Sequence, residues 1–271
     1  MDVATIRFSI FLGVFVLMLA LEAMIPRHPT VDSKLRRLGI NLAITGIDIL
    51  VVRLFLGTAA IGAAQFAEVQ GWGMLNWTEL PPAIEIFFAV VFLDFMIYVQ
   101  HVVVHMIPFF WQFHIVHHTD LDLDVSSGLR FHPIEILGSL LFKIVLIFSL
   151  GASPVAVLIF EAILNGMAQF SHSNIKLRDD WEEALRKVIV TPDMHRIHHS
   201  VERAETNSNY GFNLSLWDRW LGTYIARAKK LQPDIVIGVP EYRKPEEVGL
   251  LKLLLMPFKR KGPSYFSGDI R

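Results

Sequence analysis

The chain has no cysteine among its 271 residues. That excludes a disulfide framework, a thiolate zinc site and an iron–sulfur cluster of its own. HExxH is absent, so a zinc peptidase would lack its general base, and so is the Glu-x-x-His pair that soluble di-iron proteins carry on their helices. No basic run is interleaved with aromatics, and 25 Lys and Arg nearly balance 26 Asp and Glu, which leaves no electrostatic footprint for nucleic acid. Tandem repeats and low-complexity tracts are missing as well. Charge is sparse, at 19% of residues against 53% hydrophobic, and the mean hydropathy of +0.44 points to a membrane protein.

The apolar residues gather in long runs. Residues 8 to 25 (FSIFLGVFVLMLALEAMI) hold one charge, Glu22, and are long enough to cross a hydrocarbon core of about 30 Å at about 1.5 Å per residue. A cleaved signal peptide fits less well, because MDVATIRF is not a basic leader, no small-x-small site follows, and Pro26 ends the helix. A second span runs from about Gly39 to Ala64 with Asp48 and Arg53 inside it, and a third from Pro81 or Pro82 to about Ile107. Ile134 to Leu150 and Pro154 to Ser171, separated by GAS, are short for full spans and read as a tight helical hairpin. Beyond Ser171 the sequence turns charged and mixed.

The expected fold is an all-α integral membrane protein of about four to five membrane helices, the last two as a short hairpin, with a cytoplasmic helical cap. Its parts are N-terminal membrane helices (1–80), a histidine-rich domain (81–225) and a C-terminal tail (226–271). In the tail, VGLLKLLLMPFKRK suits a helix lying on the cytoplasmic leaflet. Orientation follows from basic residues: the 26–38 loop holds Arg27, Lys34, Arg36 and Arg37, whereas the 65–80 loop has no Lys or Arg and carries Trp72 and Trp77, which suit an interface belt. The first loop is therefore expected in the cytoplasm. Counting onward puts the N-terminus outside, and the 108–132 segment and the last hundred residues inside.

Ten of the eleven histidines lie between 101 and 199. They form HVVVH (His101, His105), HIVHH (His114, His117, His118) and HRIHH (His195, His198, His199), with His132 in RFHP and His172 in FSHSN. Residues three and four apart share a helix face, so each box presents imidazoles side by side. Burying so many imidazoles near apolar surface without a partner would be costly. The two near-copies HIVHH and HRIHH are expected to clamp one dinuclear centre from two directions, and ligand softness alone leaves zinc, iron and copper open.

Asp94, Tyr98, His101 and His105, spaced four, three and four apart, form one helix face, so Asp94 is expected to support the histidines from inside a span. Glu161, Asn165 and His172 share a face on the return helix in the same way, and Asp193 is placed either to orient an imidazole or to cap a helix. Asp120, Asp122 and Asp124 invite a calcium reading that fails for want of Gly-x5-Glu, which leaves a solvated loop. Trp217 and Trp220 read as packing or interface anchors.

Three histidine boxes of the forms HxxxH, HxxHH and HxxHH beside membrane helices resemble the fatty acid hydroxylase and sterol desaturase superfamily. The resemblance extends to DFMIYVQHVVVHMIPFFWQFHIVHHTD, SGLRFHPIE, QFSHSN, TPDMHRIHHS and NSNYGFNLSLWDRWLGTY, in that order, over about residues 94 to 224. It implies a membrane oxygenase with a non-haem di-iron centre that uses O2 and two electrons to hydroxylate or desaturate a lipid. The ligands it implies are His101, His105, His114, His117, His118, His195, His198 and His199, with His172 as a ninth. His132 also falls on a family block and is carried as a ligand candidate, with helix capping as its alternative. Zinc, which stands above Fe2+ in the affinity order, is an expected substitute in purified protein.

Without cysteine or room for a haem or flavin domain, the chain needs an external electron donor, ferredoxin or cytochrome b5-like, docking on the cytoplasmic side. No fused electron-transfer domain or ER-retrieval ending is seen, which favours a bacterial inner membrane over the endoplasmic reticulum. Two rival classes are a metal transporter or metal-sensing membrane protein, and a zinc-dependent lipid hydrolase. Neither accounts for boxes gathered at one face of the membrane as directly as an oxygenase does.

Overall fold

The computed structural model describes residues 3–56 and 59–259, and these are helical with three isolated β-bridges. Five segments are long and apolar enough to cross a membrane: Ala4–Met24, Lys34–Trp77, Pro82–Met106, Pro133–Leu150 and Pro154–His172. They contain α1 (Val3–Met24), α2 (Lys34–Leu56), α3 (Ala59–Gln70), α4 (Pro82–Met106), α6 (Pro133–Leu150) and α7 (Pro154–His172). The chain is an integral membrane protein.

Proline sets most of the boundaries. Pro82, Pro108, Pro133 and Pro154 each stand at the start of a helix, where the missing N–H costs nothing and the ring fixes φ for the first turn. Pro108 also ends α4, because the residue before a proline is driven from helical to extended backbone, and Ile107 is extended. The chain folds back there, so α5 (Pro108–His118) packs against the end of α4 and brings HIVHH onto HVVVH. Gly151 closes α6 in the left-handed conformation at φ 73°, and Ser153 caps α7 through Ala156 N. That hairpin turn is tied to α4, where Glu85 accepts from Ser153 N at 3.1 Å and Ser153 Oγ at 2.9 Å.

The spans meet through small residues. Ala60, Ala63, Ala64, Ala89, Ala152 and Ala156 cluster with Ile147, Leu150 and Val157, which allows close backbone approach where lipid gives no hydrophobic drive. Gly73 carries this furthest: a Cβ there would stand 2.0 Å from Gly151 N, and its φ of 94° already favours glycine. α7 lies against α1, α3 and α4, and α6 against α2, α3, α4 and α5. Trp72 and Trp77 are exposed beside this end.

Beyond the spans, α8 (Asp179–Leu185), α9 (Pro192–His198) and short turns of helix build the cap, with Thr191 capping α9 and α9 packed on α7. The C-terminal apolar stretch forms only a short helix, Leu250–Leu255, followed by a 3-10 turn at Met256–Phe258 against α5. Leu253 is buried while Leu251 and Phe258 are exposed, so one side of it serves the core. Arg260 and Lys261 of that stretch lie outside the described residues.

The solvated loop expected around Asp120, Asp122 and Asp124 is instead buried. Arg37 enters it from α2, forking Asp120 at 2.7 and 3.0 Å and reaching Asp124 at 2.8 Å. Asp122 accepts the backbone N–H groups of Val31 and Asp32. Asn41 and Arg130 extend the network, Arg130 donating to Asn41 Oδ1, Val116 O and Thr119 Oγ1. Burial works against ionisation of Asp120, yet Arg37 and Arg130 outweigh it and hold the carboxyl well below the usual range. In the sequence Arg37 reads only as a topology signal, since nothing local reveals that its guanidinium turns inward.

Candidate metal centre

Nine of the ten clustered histidines converge in two buried groups. His101, His105, His114, His118 and His198 form one, and His117, His172, His195 and His199 the other, with the ligand atoms of each group within 4.8 Å of one another. Neither HxxHH box serves a single group. His114 and His118, four apart, lie on one face and join the first, while His117, turned about 100° from His118, joins the second. HRIHH divides the opposite way, His195 and His199 going to the second and His198 to the first. The groups abut, for the rings of His118 and His199 stack with centroids 4.4 Å apart.

The hydrogen bonding of these imidazoles fits a bound cation. His101 Nδ1 donates to Tyr210 O at 2.7 Å, His172 Nδ1 to Ala168 O at 2.7 Å, and His198 Nδ1 to Ser208 O at 2.8 Å. A carbonyl only accepts, so each Nδ1 holds the proton and each Nε2 presents a lone pair. Those of His101, His114 and His198 are buried without a hydrogen-bond partner. In the second group, Nε2 of His172 stands 3.1 Å from that of His117 and 3.0 Å from that of His195, which is 3.2 Å from His199 Nε2. Nitrogens bound at about 2.0–2.1 Å to one ion at near right angles stand about 3 Å apart. Burial, reinforced by neighbouring imidazoles, lowers the pKa of His117, His118, His195 and His199, and burial lowers that of His198 to about 3. The rings stay neutral, as metal ligands must.

The other sequence candidates fall outside these groups. His132 caps α6, its Nδ1 accepting from Ile134 N and its Nε2 donating to Leu254 O, each at 3.2 Å, so neither nitrogen faces a cluster. Asp94 touches no histidine: Oδ2 accepts from the Trp217 indole at 2.7 Å and from Leu214 N at 3.3 Å. Tyr98 meets Thr223 Oγ1 at 2.9 Å, Thr223 donates to Asp218, and Asp218 takes Tyr210 N and Gly211 N at 2.8 Å each. The face of Asp94 and Tyr98 thus anchors the 210–223 segment, which in turn presents Tyr210 O to His101. Glu161 pairs with Arg7 and Lys143, Asn165 donates to Glu161 O, and Asp193 is forked by Arg27 at 2.9 and 2.8 Å.

Two contributors went unread in the sequence. Asp218 lies in LWDRWLG between two tryptophans whose packing signal masks it. Glu135, three residues after His132, accepts from His114 Nδ1 at 2.6 Å. It stands in the first turn of α6, where an acidic residue is ordinary and carries no signal of its own. Replacing Glu135 with glutamine is expected to cost about 10 to 100-fold in metal affinity or activity, because the amide no longer fixes the His114 tautomer. Metal titration of the purified variant checks this, and unchanged affinity and rate would make the contact incidental.

A cavity of about 500 Å3 adjoins the first group, walled by His101 and His114 and by residues of α1, α2, α4, α6 and α7. A family model described as fatty acid hydroxylase matches residues 86–223, which contain all nine histidines and Glu135. The chain belongs to the fatty acid hydroxylase family. Ornithine lipid hydroxylase OlsE of Rhizobium tropici is 32% identical to it over 184 residues, covering 68% of this chain and 53% of that protein. Alkylglycerol monooxygenase of Caenorhabditis elegans is 28% identical over 70% of this chain and 37% of its own, and the human enzyme 28% over 51% and 30%. The chain therefore spans about half the length, or less, of these relatives of the hydroxylase family. No solved structure matches it.

Proposed function

We propose that this chain is a di-iron lipid hydroxylase. The observation that carries the reading is the pair of abutting, fully buried imidazole groups beside a cavity set among membrane helices. Two iron ions, one in each group, would activate O2 with two electrons. The net change is R–H + O2 + 2e− + 2H+ → R–OH + H2O. The activities of the relatives, a hydroxylase and monooxygenases, favour oxygen insertion over desaturation.

The protein's own part is positional. Carbonyls of Tyr210, Ala168 and Ser208 fix which nitrogen of three imidazoles faces inward, and Glu135 does so for His114. Ile97, Val104, Leu140 and Phe212 give the cavity apolar wall for the substrate and keep water from the reacting carbon. The electrons would come from a ferredoxin or cytochrome b5-like donor, since the 271 residues hold no cysteine for a cluster of their own. Protein purified with iron should consume O2 only when a lipid extract, a reductant and such a donor are all supplied, and mass spectrometry should find one lipid heavier by one oxygen. Uptake unaffected by lipid would sink the reading.

The histidine cap is assigned to the cytoplasmic side on the basic residues of the 26–38 loop, and the membrane to a bacterial inner membrane on the likeness to the Rhizobium tropici hydroxylase. A reporter after Arg271 and one in the 26–38 loop should then both register cytoplasm, and one near Gly71 the opposite face. Signals reversed in all three would move the donor's docking side to the other compartment.

A further inference from the structure

Charged side chains inside membrane spans are costly and persist where they face a cavity or one another. Six line the cavity beside His101 and His114: Arg7, Asp48, Arg53, Glu135, Lys143 and Glu161. Three of them are tied to one another. Glu161 takes both Arg7, at 2.6 Å, and Lys143, at 2.9 Å, so that corner sets two cations around one anion. Asp48 and Glu135 are the other two acids on the cavity wall. Asp48 is only 6% exposed and its Oδ1 has no hydrogen-bond partner; Glu135 spends Oε1 on His114 and leaves Oε2 without one. Along α6, eight residues, or about 12 Å, separate Glu135 from Lys143.

Buried carboxylate oxygens left open are unfavourable unless something donates to them. A bare acyl chain or a hydrocarbon ring donates nothing. A primary ammonium offers three N–H groups and a positive charge, which answers both acids at once, while a phosphate or carboxylate suits the Arg7 and Lys143 corner. We infer that the cavity admits the zwitterionic, primary-amine headgroup of a membrane lipid, with its amine between Asp48 and Glu135 and its anionic group toward Arg7 and Lys143. The inference rests on the cavity being the substrate's seat in the hydroxylase reading. It places the carbons of the headgroup, or those next to it, near His101 and His114, with the chain ends remote from them.

The test reads lipid retention by native mass spectrometry on resting, metal-loaded protein in detergent. The probes are phosphatidylethanolamine, phosphatidylglycerol and diacylglycerol with the same acyl chains. The wild-type protein should retain phosphatidylethanolamine about tenfold over either of the others, the scale of one charge-assisted hydrogen bond. Asp48→Asn, with unchanged metal content and a single elution peak, should lose that preference. Equal retention of phosphatidylethanolamine and phosphatidylglycerol by the wild type overturns the inference by itself, even where the variant fails to fold. A preference that survives in well-folded Asp48→Asn overturns it too. Since retention is read without turnover, a failure to consume O2 would count against the hydroxylase reading, and a missing amine preference against this inference alone.

Discussion

Replacing His198 with alanine is expected to abolish turnover while leaving the protein inserted and folded. His198 comes from the cap, yet its Nε2 belongs with four imidazoles carried by α4 and α5. Its Nδ1 is fixed on Ser208 O at 2.8 Å, which leaves Nε2 as the nitrogen turned to that group. The loss should exceed the roughly 10 to 100-fold that removal of a supporting residue costs. His117→Ala should do the same from the other side, since its Nε2 stands 3.1 Å from that of His172 in the second group. Metal content and O2 consumption on membrane-inserted protein decide the matter. Retained activity in both variants would rule out the dinuclear assignment.

Arg37→Leu is expected to destabilise the protein by about 3–5 kcal/mol, the usual penalty for breaking one partner out of a buried ion-pair network. Arg37 is 1% exposed and binds Asp120 and Asp124, which are 1% and 2% exposed. With the guanidinium gone, Asp120 keeps Ser127 Oγ at 2.7 Å and Asn41 at 3.3 Å but loses its forked cation. The 119–126 loop follows directly on His118, so the first casualty should be the position of α5 and its three ligand candidates. Arg178 offers the control: exposed and paired with the exposed Asp180 at 2.6 Å, it should cost no more than about 1 kcal/mol on replacement by leucine. Thermal unfolding of both variants in detergent compares them. Equal midpoints would mean that the buried network does not hold the loop.

The helices were legible because their signals are local. Uninterrupted apolar runs mark the spans, and Pro82, Pro108, Pro133 and Pro154 mark where four helices begin. The histidine boxes were legible for the same reason, since spacings of three and four put imidazoles on one face. Their division between two groups was not, because it depends on how α5 and α9 are turned against α4 and α7. Asp94 shows the boundary sharply. Its face on α4 could be read from the spacing, but the Trp217 indole that fills that face comes from 123 residues further along the chain. Arg37 and Glu135 meet their partners across 83 and 21 residues, distances at which periodicity carries no information. His132 falls on a family block and looks like a ligand in one dimension, and only the fold turns its ring to Ile134 N and Leu254 O.

The most direct test of the account is to locate iron in the iron-loaded protein by anomalous diffraction at the iron edge. Two peaks a few ångströms apart are predicted, one among His101, His105, His114, His118 and His198, the other among His117, His172, His195 and His199. A single peak, or iron held by carboxylates away from these imidazoles, would contradict it.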